Sequence, residues 1–554
     1  MPSDLLLHQA LERLSGGDPE AAGLLLRQLL SQPPESAGTV AEAARQLARL
    51  CSRRGDHHEA IALLQGALFY APDDGSLWGE LASEWLAAGD PEASLACWES
   101  CECLGAGSLE RRHDHGVALL ESGRAEAARQ RFEQLLEEQP AHPRIRANLA
   151  HALEAVARGQ FEEGRWAASL LSLEQALGLF DQAAMSSDAP TDADHPEAEL
   201  LAVLPDNTGI VLQSQGRLPE AIAAHEQALA FAPARAESHF HLGLALLLSG
   251  RLERGWPEYA WRFQTPHAAR LCAAVPPPRP WDLPCGEGPL RLIGEQGLGD
   301  MLQFLRYVRE AEERHPDVQL CLPEKLHGLA RSSEIHCPLL SPTEAESRAD
   351  GPWIPLMSLP LQLGMHGSPD IGAHPYLRIP EERLRYWRRR LQEGLAPGTR
   401  LLGLHWQGNP ALERFQHRGR SFPLELLAPL ARLPGMRLLS LQRGFGAEQW
   451  RSCSFREAFV NHQEELDAVL DFVEIGAMAS ACDRVISSDS AMAHLVGGLG
   501  LPAWLLLRHV PDWRWGLAGE RTPWYPTLRL LRQNRPDDWC EPIARAVGLL
   551  HQGA

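Results

Sequence analysis

Long apolar runs are missing from this sequence: nowhere do eighteen apolar residues follow one another, so no membrane-spanning helix is expected. The opening residues, MPSDLLLHQALERLSGG, bring acids in early and lack the basic stretch and apolar core of a secretory signal, which sets the expectation of a cytoplasmic protein. Positive charge is scarce as well. The 52 Lys and Arg stand against 72 Asp and Glu, a formal charge of -20, which disfavours general affinity for nucleic acid or an anionic membrane. Any phosphate site must therefore be local. The 11 cysteines follow no framework spacing and suit a reducing compartment. Their densest group, Cys97, Cys101 and Cys103 with His113 and His115 beyond it, fits no structural zinc pattern, and no metal site is expected there or elsewhere. HExxH, GxSxG and the Walker phosphate loop are absent too, which removes support for peptidase, serine-hydrolase and ATPase readings.

What is present is periodic. At 554 residues the chain exceeds one hydrophobic core, and its first half repeats itself. Gly55, Gly89 and Gly123 are spaced by 34 residues, as are Gly216 and Gly250. After Gly55, Gly123 and Gly216 an alanine follows at five positions (Ala60, Ala128, Ala221) and a proline at seventeen (Pro72, Pro140, Pro233); Gly17, Ala22 and Pro34 obey the same rule. The glycine ends one helix in a conformation costly for other residues, the alanine lets two helices approach, and the proline stops the second helix. This is the tetratricopeptide period, and five or six stacked hairpins are expected over residues 1–263, with Cys101 on a position for a small buried residue. Such stacks leave a groove suited to a protein or peptide. An acidic, proline-containing run at about 182–198 is expected to be an inserted loop, and AVPPPRPW (274–281) marks a linker over 264–286.

Beyond the prolines, short β-rich runs at 290–293, 401–404, 437–441 and 484–487 alternate with helical segments. That texture predicts two parallel α/β units, over 287–395 and 396–554, with a charged connecting helix at 381–390. Three segments at strand ends carry candidate chemistry. GEQGLGD (294–300) brings Gly297 and Gly299 to a crevice, with Asp300 either functional or a helix cap. SSDSAMAH (487–494) offers Asp489 and Ser490 at a helix start and His494 one turn on, so that helix geometry predicts Ser490 and His494 on one face, beside free N–H groups that favour a diphosphate. The alternative is an ordinary cap followed by a buried histidine. WQGNP (406–410) contributes Gly408 and Asn409 and leads into Arg414, His417, Arg418 and Arg420, a basic cluster that either neutralises phosphate or is a solvated loop.

Taken in order, EQGLGD with QFLRYV, PLMSLP, WQGNP, RSFPLELLAPL, SSDSAMAHLVGGLG, PDWRW and PWYPTLRLLRQ resemble bacterial tetratricopeptide-linked glycosyltransferases related to glycosyltransferase family 9, which includes the heptosyltransferases. The likeness spans about 290–545. It implies an α-solenoid followed by a GT-B pair of Rossmann-like domains, acting as an inverting, metal-independent transferase without a cofactor. Asp300 matches the proposed general base of that family, and Asp489, Ser490 and His494 match its donor-site stretch. Arg420 matches a basic residue near the donor phosphates in a loop that otherwise differs. Ser490 stands where threonine is commoner, and Ile293 and Gly294 replace a frequent His-Ala. The resulting expectation is transfer from a nucleotide sugar to a hydroxyl acceptor, with the repeats holding a protein or peptide acceptor. Two alternatives are a non-catalytic repeat scaffold with a degenerate ligand-binding domain, and a nucleotide-sugar epimerase or hydrolase.

Overall fold

The computed structural model describes residues 2–33, 35–105, 108–180, 196–266, 289–315, 317–346, 352–365, 371–372, 374–413, 419–461 and 463–552. The chain divides into two compact units, Met1–Leu204 and Pro205–Ala554.

The first unit is built of antiparallel hairpins: α1 (Ser3–Ser15) with α2 (Pro19–Leu30), α3 (Ala37–Ser52) with α4 (His57–Tyr70), α5 (Gly75–Ala87) with α6 (Pro91–Cys103), α7 (Leu109–Glu121) with α8 (Ala125–Glu138), and α9 (Pro143–Glu162) with α10 (Trp166–Leu177). Each turn uses a glycine in the left-handed region, with φ from 77° to 83°: the expected Gly17, Gly55, Gly89 and Gly123, and also Gly164. Two turns show the full local logic. After Gly17 and Gly89 come Asp18-Pro19 and Asp90-Pro91, where the aspartate oxygen accepts the N–H of Ala21 (3.1 Å) or Ala93 (3.0 Å) and the proline takes the first helical position, which has no N–H to satisfy. Ala22, Ala60 and Ala128 are fully buried where the helices cross.

Gly164 escapes the 34-residue count because α9, at 20 residues, is about two turns longer than the 13-residue α7. First helices of successive hairpins are joined by polar pairs 35 residues apart: Thr39 to Asp4 (2.7 Å), Arg45 to Glu80 (2.8 Å), Arg111 to Ser76 (3.2 Å) and Asn148 to His113 (2.8 Å). The near-constant separation is the repeat seen from its side chains.

The expected inserted loop falls mostly on 181–195, outside the described residues. Its last three residues are helical instead, because α11 (Pro196–Ser214) starts at a proline in the first helical position. In the second unit α12 (Leu218–Phe231), α13 (Ala236–Leu248) and α14 (Leu252–Ala260) continue the hairpins, with left-handed Gly216 and Gly250 at the turns and a short 3-10 turn Trp261–Gln264 at the end. The proline linker lies outside the described residues from 267 onward.

Two parallel sheets follow among the described residues. The first has the order β3 (Leu339–Leu340), β2 (Val318–Cys321), β1 (Leu290–Ile293), β4 (Trp353–Pro355). The second runs β6 (Met436–Ser440), β5 (Arg400–His405), β7 (Arg484–Ser488), β8 (Ala503–Leu507), β9 (Leu528–Arg532). All pairings are parallel. The strands read as near-continuous apolar runs because helices cover both faces. The helix Glu381–Gln392 links the sheets, as its charge pattern predicts, burying only Trp387 and Leu391.

The core does not respect the repeat boundary. Trp256 and Tyr259 of α14 are buried in one apolar cluster with Leu292 of β1, Phe304 and Trp513. Trp256 meets Phe304 and Trp513 edge-on at centroid distances of 6.1 and 5.4 Å. The last hairpin therefore shares its interior with the sheets.

Candidate active site at the strand ends

Parallel strands expose their carboxyl ends together, and a crevice forms where the chain order reverses. In the second sheet this happens at β5, flanked by β6 on one side and β7 on the other. The glycine loop leaves β1, and α15 (Leu298–Phe304) follows it. Gly297 is the N-cap, and the Oδ2 of Asp300 reaches back to accept its N–H at 2.8 Å. Asp300 is thus a cap. Its Oδ1 also accepts from Nη2 of Arg514. Arg514 donates further to Gln303 and, at 2.8 Å, to Asp512. Burial opposes the charge of Arg514, but Asp512 and Asp300 outweigh it and raise its pKa.

On the second sheet, Ser490 follows β7 in extended conformation (φ -158°, ψ 177°) and makes no capping bond to the helix Ala491–Gly498. Its hydroxyl lies 3.1 Å from Nδ1 of His405 at the end of β5, and also donates to the carbonyl of Ser488 at 3.3 Å. Burial, with the charges of Arg443 and Arg420, pushes His405 down to about 3, so the ring is neutral. Asp489 is pushed up to about 6 by burial and by Asp512. Arg508, just past β8, is lowered by burial while Asp489 and Asp512 pull the other way. Arg420 lies flat on Gly408, where an added Cβ would come within 2.8 Å of its Nη2, and sits 3.5 Å from Glu413. Ser421 accepts the N–H of Gly408 (2.8 Å), and Asn409 caps its own turn through Ala411 (3.0 Å). Arg414, His417 and Arg418 lie outside the described residues.

The expected shared face of Ser490 and His494 needs correction. Because Ser490 is the cap and not the first helical residue, the four-residue helical relation does not apply. The ring of His494 is buried, with Nδ1 2.8 Å from the hydroxyl of Tyr525 and its face stacked on Trp515 at 5.4 Å. Gly299 provides room for it, since a Cβ there would meet Cδ2 of His494 at 2.9 Å. Burial and Arg514 hold this imidazole well below its ordinary pKa. His494 joins α15 to the second sheet's helix, while Ser490 faces His405.

Four residues of the cluster were not singled out from sequence: His405, Arg508, Asp512 and Arg514. Asp512 and Arg514 were visible only as letters of PDWRW. His405 and Arg508 each follow directly on an apolar strand run, which is the signal that was available. The group unites an Asp in the helix after the first sheet's β1 with arginines, a serine hydroxyl and a neutral imidazole of the second sheet, a set suited to an anionic ligand and a proton acceptor.

The raised pKa of Asp489 carries a stability consequence. A carboxyl whose folded pKa lies near 6 against an ordinary 3.8 favours folding below the lower value, and that contribution is lost as pH rises through about 6. Asp489→Asn is therefore expected to be more stable than the parent at pH 8, by on the order of 1–3 kcal/mol, with the gap closing at pH 4. Denaturant titrations at the two pH values check this; a pH-independent gap would contradict it.

Elsewhere, Asp206 (α11), His225 (α12) and His241 (α13) bring metal-ligand types within 4.8 Å of one another. Asp206 accepts from His225 (2.7 Å), His241 (3.0 Å) and Arg235 (2.7 Å), while Nε2 of His225 is buried without a hydrogen-bond partner. Burial opposes the charge of Asp206, yet His241 and His225 hold its pKa well below the ordinary range. Asp206→Ala should destabilise the 205–554 unit by about 3–5 kcal/mol, read as a lowered denaturant midpoint. The cysteine-histidine group near residue 100 is dispersed: Cys101 sits buried against Gly79, His113 bonds Asn148, and His115 bonds Glu102 at 2.8 Å.

Comparison with known proteins agrees with the hairpin geometry. Residues 119–165 and 209–250 match tetratricopeptide repeat families, so the helical part of the chain is built of tetratricopeptide repeats, a framework for protein contact. The chain is similar to the protein FlbA of Caulobacter vibrioides, 26% identical over 336 residues, or 56% of this chain; it spans 54% of that relative's length. A tetratricopeptide repeat protein from Parabacteroides merdae is 16% identical with a TM-score of 0.30, covering 47% of this chain and 91% of that one. PilF of Pseudomonas aeruginosa is 15% identical with a TM-score of 0.28, covering 41% and 91%. Scores of this size add nothing to the assignment. Among the described residues no helix is long and apolar enough to cross a membrane.

Proposed function

We propose that the protein is a glycosyltransferase of the GT-B kind, which takes a nucleotide sugar as donor and needs neither cofactor nor metal, and whose repeats engage a protein or peptide acceptor. One observation carries the reading. Asp300, in the first turn of α15 after the glycine loop, meets Arg514 of the second sheet's loops, where Arg508, Asp489, Ser490 and His405 also converge. Asp300 removes the proton of the acceptor hydroxyl as it attacks the anomeric carbon, and the arginines with the Ser490 hydroxyl stabilise the departing diphosphate. His405, neutral and 3.1 Å from Ser490, orients that hydroxyl. In the resting chain Asp300 is held by Arg514, so the donor diphosphate must draw Arg514 away before Asp300 can accept a proton.

The same contact supports a second reading, a repeat scaffold whose sheet unit only binds a ligand, because both oxygens of Asp300 are engaged. Epimerisation or hydrolysis of a nucleotide sugar would be separated from transfer by product analysis. A thermal-shift screen of nucleoside diphosphates and their sugar esters tests the proposal. A ligand at 100 times its Kd is expected to add about 2.7 kcal/mol, and a flat response to every nucleotide would end the transferase reading.

A further inference from the structure

Resting on that reading, we infer that the last tetratricopeptide hairpin is a working part of the catalytic site: Tyr259 and Arg262 are positioning residues that set the glycine loop and, through it, the carboxylate of Asp300. The loop has an awkward backbone. Gln296 adopts φ 59°, a left-handed conformation that non-glycine residues take only when neighbours enforce it, and it lies one residue before the N–H that Asp300 accepts. Gln296 and the residue before it are both gripped from the repeat side. The side-chain amide of Gln296 donates to the hydroxyl of Tyr259 at 2.7 Å. Glu295 is fully buried and receives Arg262 in a bidentate pair, Nε at 3.0 Å and Nη2 at 2.6 Å, while Met357 N–H also donates to it at 3.2 Å. Arg262 is 1% exposed, donates to Ser358 at 2.7 Å, and its guanidinium lies 4.6 Å over the Tyr259 ring.

Tyr259 also meets the opposite wall. Its ring lies 6.4 Å from that of Trp513, the residue between Asp512 and Arg514. One side chain of a repeat helix thus touches the loop that leads to Asp300 and the loop that supplies its partner Arg514. A repeat serving only to hold a partner has no need of a buried bidentate ion pair and a tyrosine hydroxyl on a strained loop. A repeat that fixes the distance between a base and its arginine does.

The test uses the full chain and two conservative variants, Tyr259→Phe and Arg262→Lys, with Leu402→Ala in the second sheet as a control for general destabilisation. Hydrogen exchange is followed in the peptides covering 294–304 and in those covering β5 to β9. In Tyr259→Phe the 294–304 amides are expected to exchange about tenfold faster while the second sheet is unchanged, and Gln296→Ala is expected to give the same effect without adding to it in the double variant. With UDP, GDP and their glucose esters as probes, nucleotide affinity stays within about twofold, while kcat falls about tenfold at unchanged donor KM. Protection of 294–304 equal to the parent, or lost only in proportion to that in the Leu402→Ala control, overturns the inference. If no nucleoside diphosphate or sugar ester of the thermal-shift screen binds the parent chain, the transferase reading fails, and the exchange comparison still decides whether the hairpin sets the loop.

Discussion

Asp300→Asn is expected to lower transfer by about 10²- to 10⁴-fold while leaving nucleotide binding intact. The substitution keeps the shape of the side chain but removes one acceptor. In the parent, Oδ2 receives the N–H of Gly297 and Oδ1 receives Arg514. An asparagine can keep the cap with its carbonyl oxygen, but its amide then points donor to donor at the guanidinium, and neither orientation offers a base. Of the residues proposed for the diphosphate, Arg508 and Ser490 stand on the second sheet's loops, and Arg514, released from Asp300, keeps its bond to Asp512, so nucleotide binding is not weakened. Calorimetry with a nucleoside diphosphate and initial-rate measurements with the donor found by thermal shift separate the two effects. A variant that transfers at half the parent rate would remove Asp300 from the base role.

Cutting the chain at Pro280 is expected to yield an insoluble or unfolded product, whereas a chain starting at Pro196, the first residue of α11, is expected to fold. The linker prolines mark a boundary between repeats and sheets, but the last hairpin covers apolar surface of the sheet unit. The cut deletes Trp256 and Tyr259, each 3% exposed within the cluster that also holds Phe304 and Trp513. Each such side chain contributes about 1.5–3 kcal/mol by burial. It also deletes Arg262 and leaves Glu295 as a buried charge without its partner, a loss of about 3–5 kcal/mol. Together these approach the 5–15 kcal/mol that usually holds a domain folded. Circular dichroism and a cooperative denaturant transition for the two chains check the expectation; a cooperatively folded 280–554 fragment would contradict it. The chain from 196 also provides the sound test of acceptor recognition, because it keeps the hairpin that grips the glycine loop while lacking the earlier repeats.

The sequence by itself determined the local elements and their kind. The glycine, alanine and proline at fixed offsets specify a turn, a close helix crossing and a helix end, all decided by residues within one hairpin, and the structure has them at Gly55, Ala60 and Pro72. The β-rich runs at 290–293 and 484–487 specify strands, since short stretches centred on Leu, Ile and Val suit a sheet with both faces covered, and they are β1 and β7. Tertiary structure alone decided which side chains meet. Nothing local to PDWRW tells that Arg514 pairs with Asp300, 214 residues away, because that contact depends on how two sheets are brought together. Ser490 and His494 were assigned one face by a rule that holds inside a helix, and the rule failed because the helix begins one residue later. The compact unit that holds the sheets begins at Pro205, inside the repeats, and the residue spacing does not show that boundary. A periodic pattern records which helix a residue belongs to, but the burial of Tyr259 and Arg262 against the glycine loop is a property of surfaces distant in sequence, which no spacing of residues records.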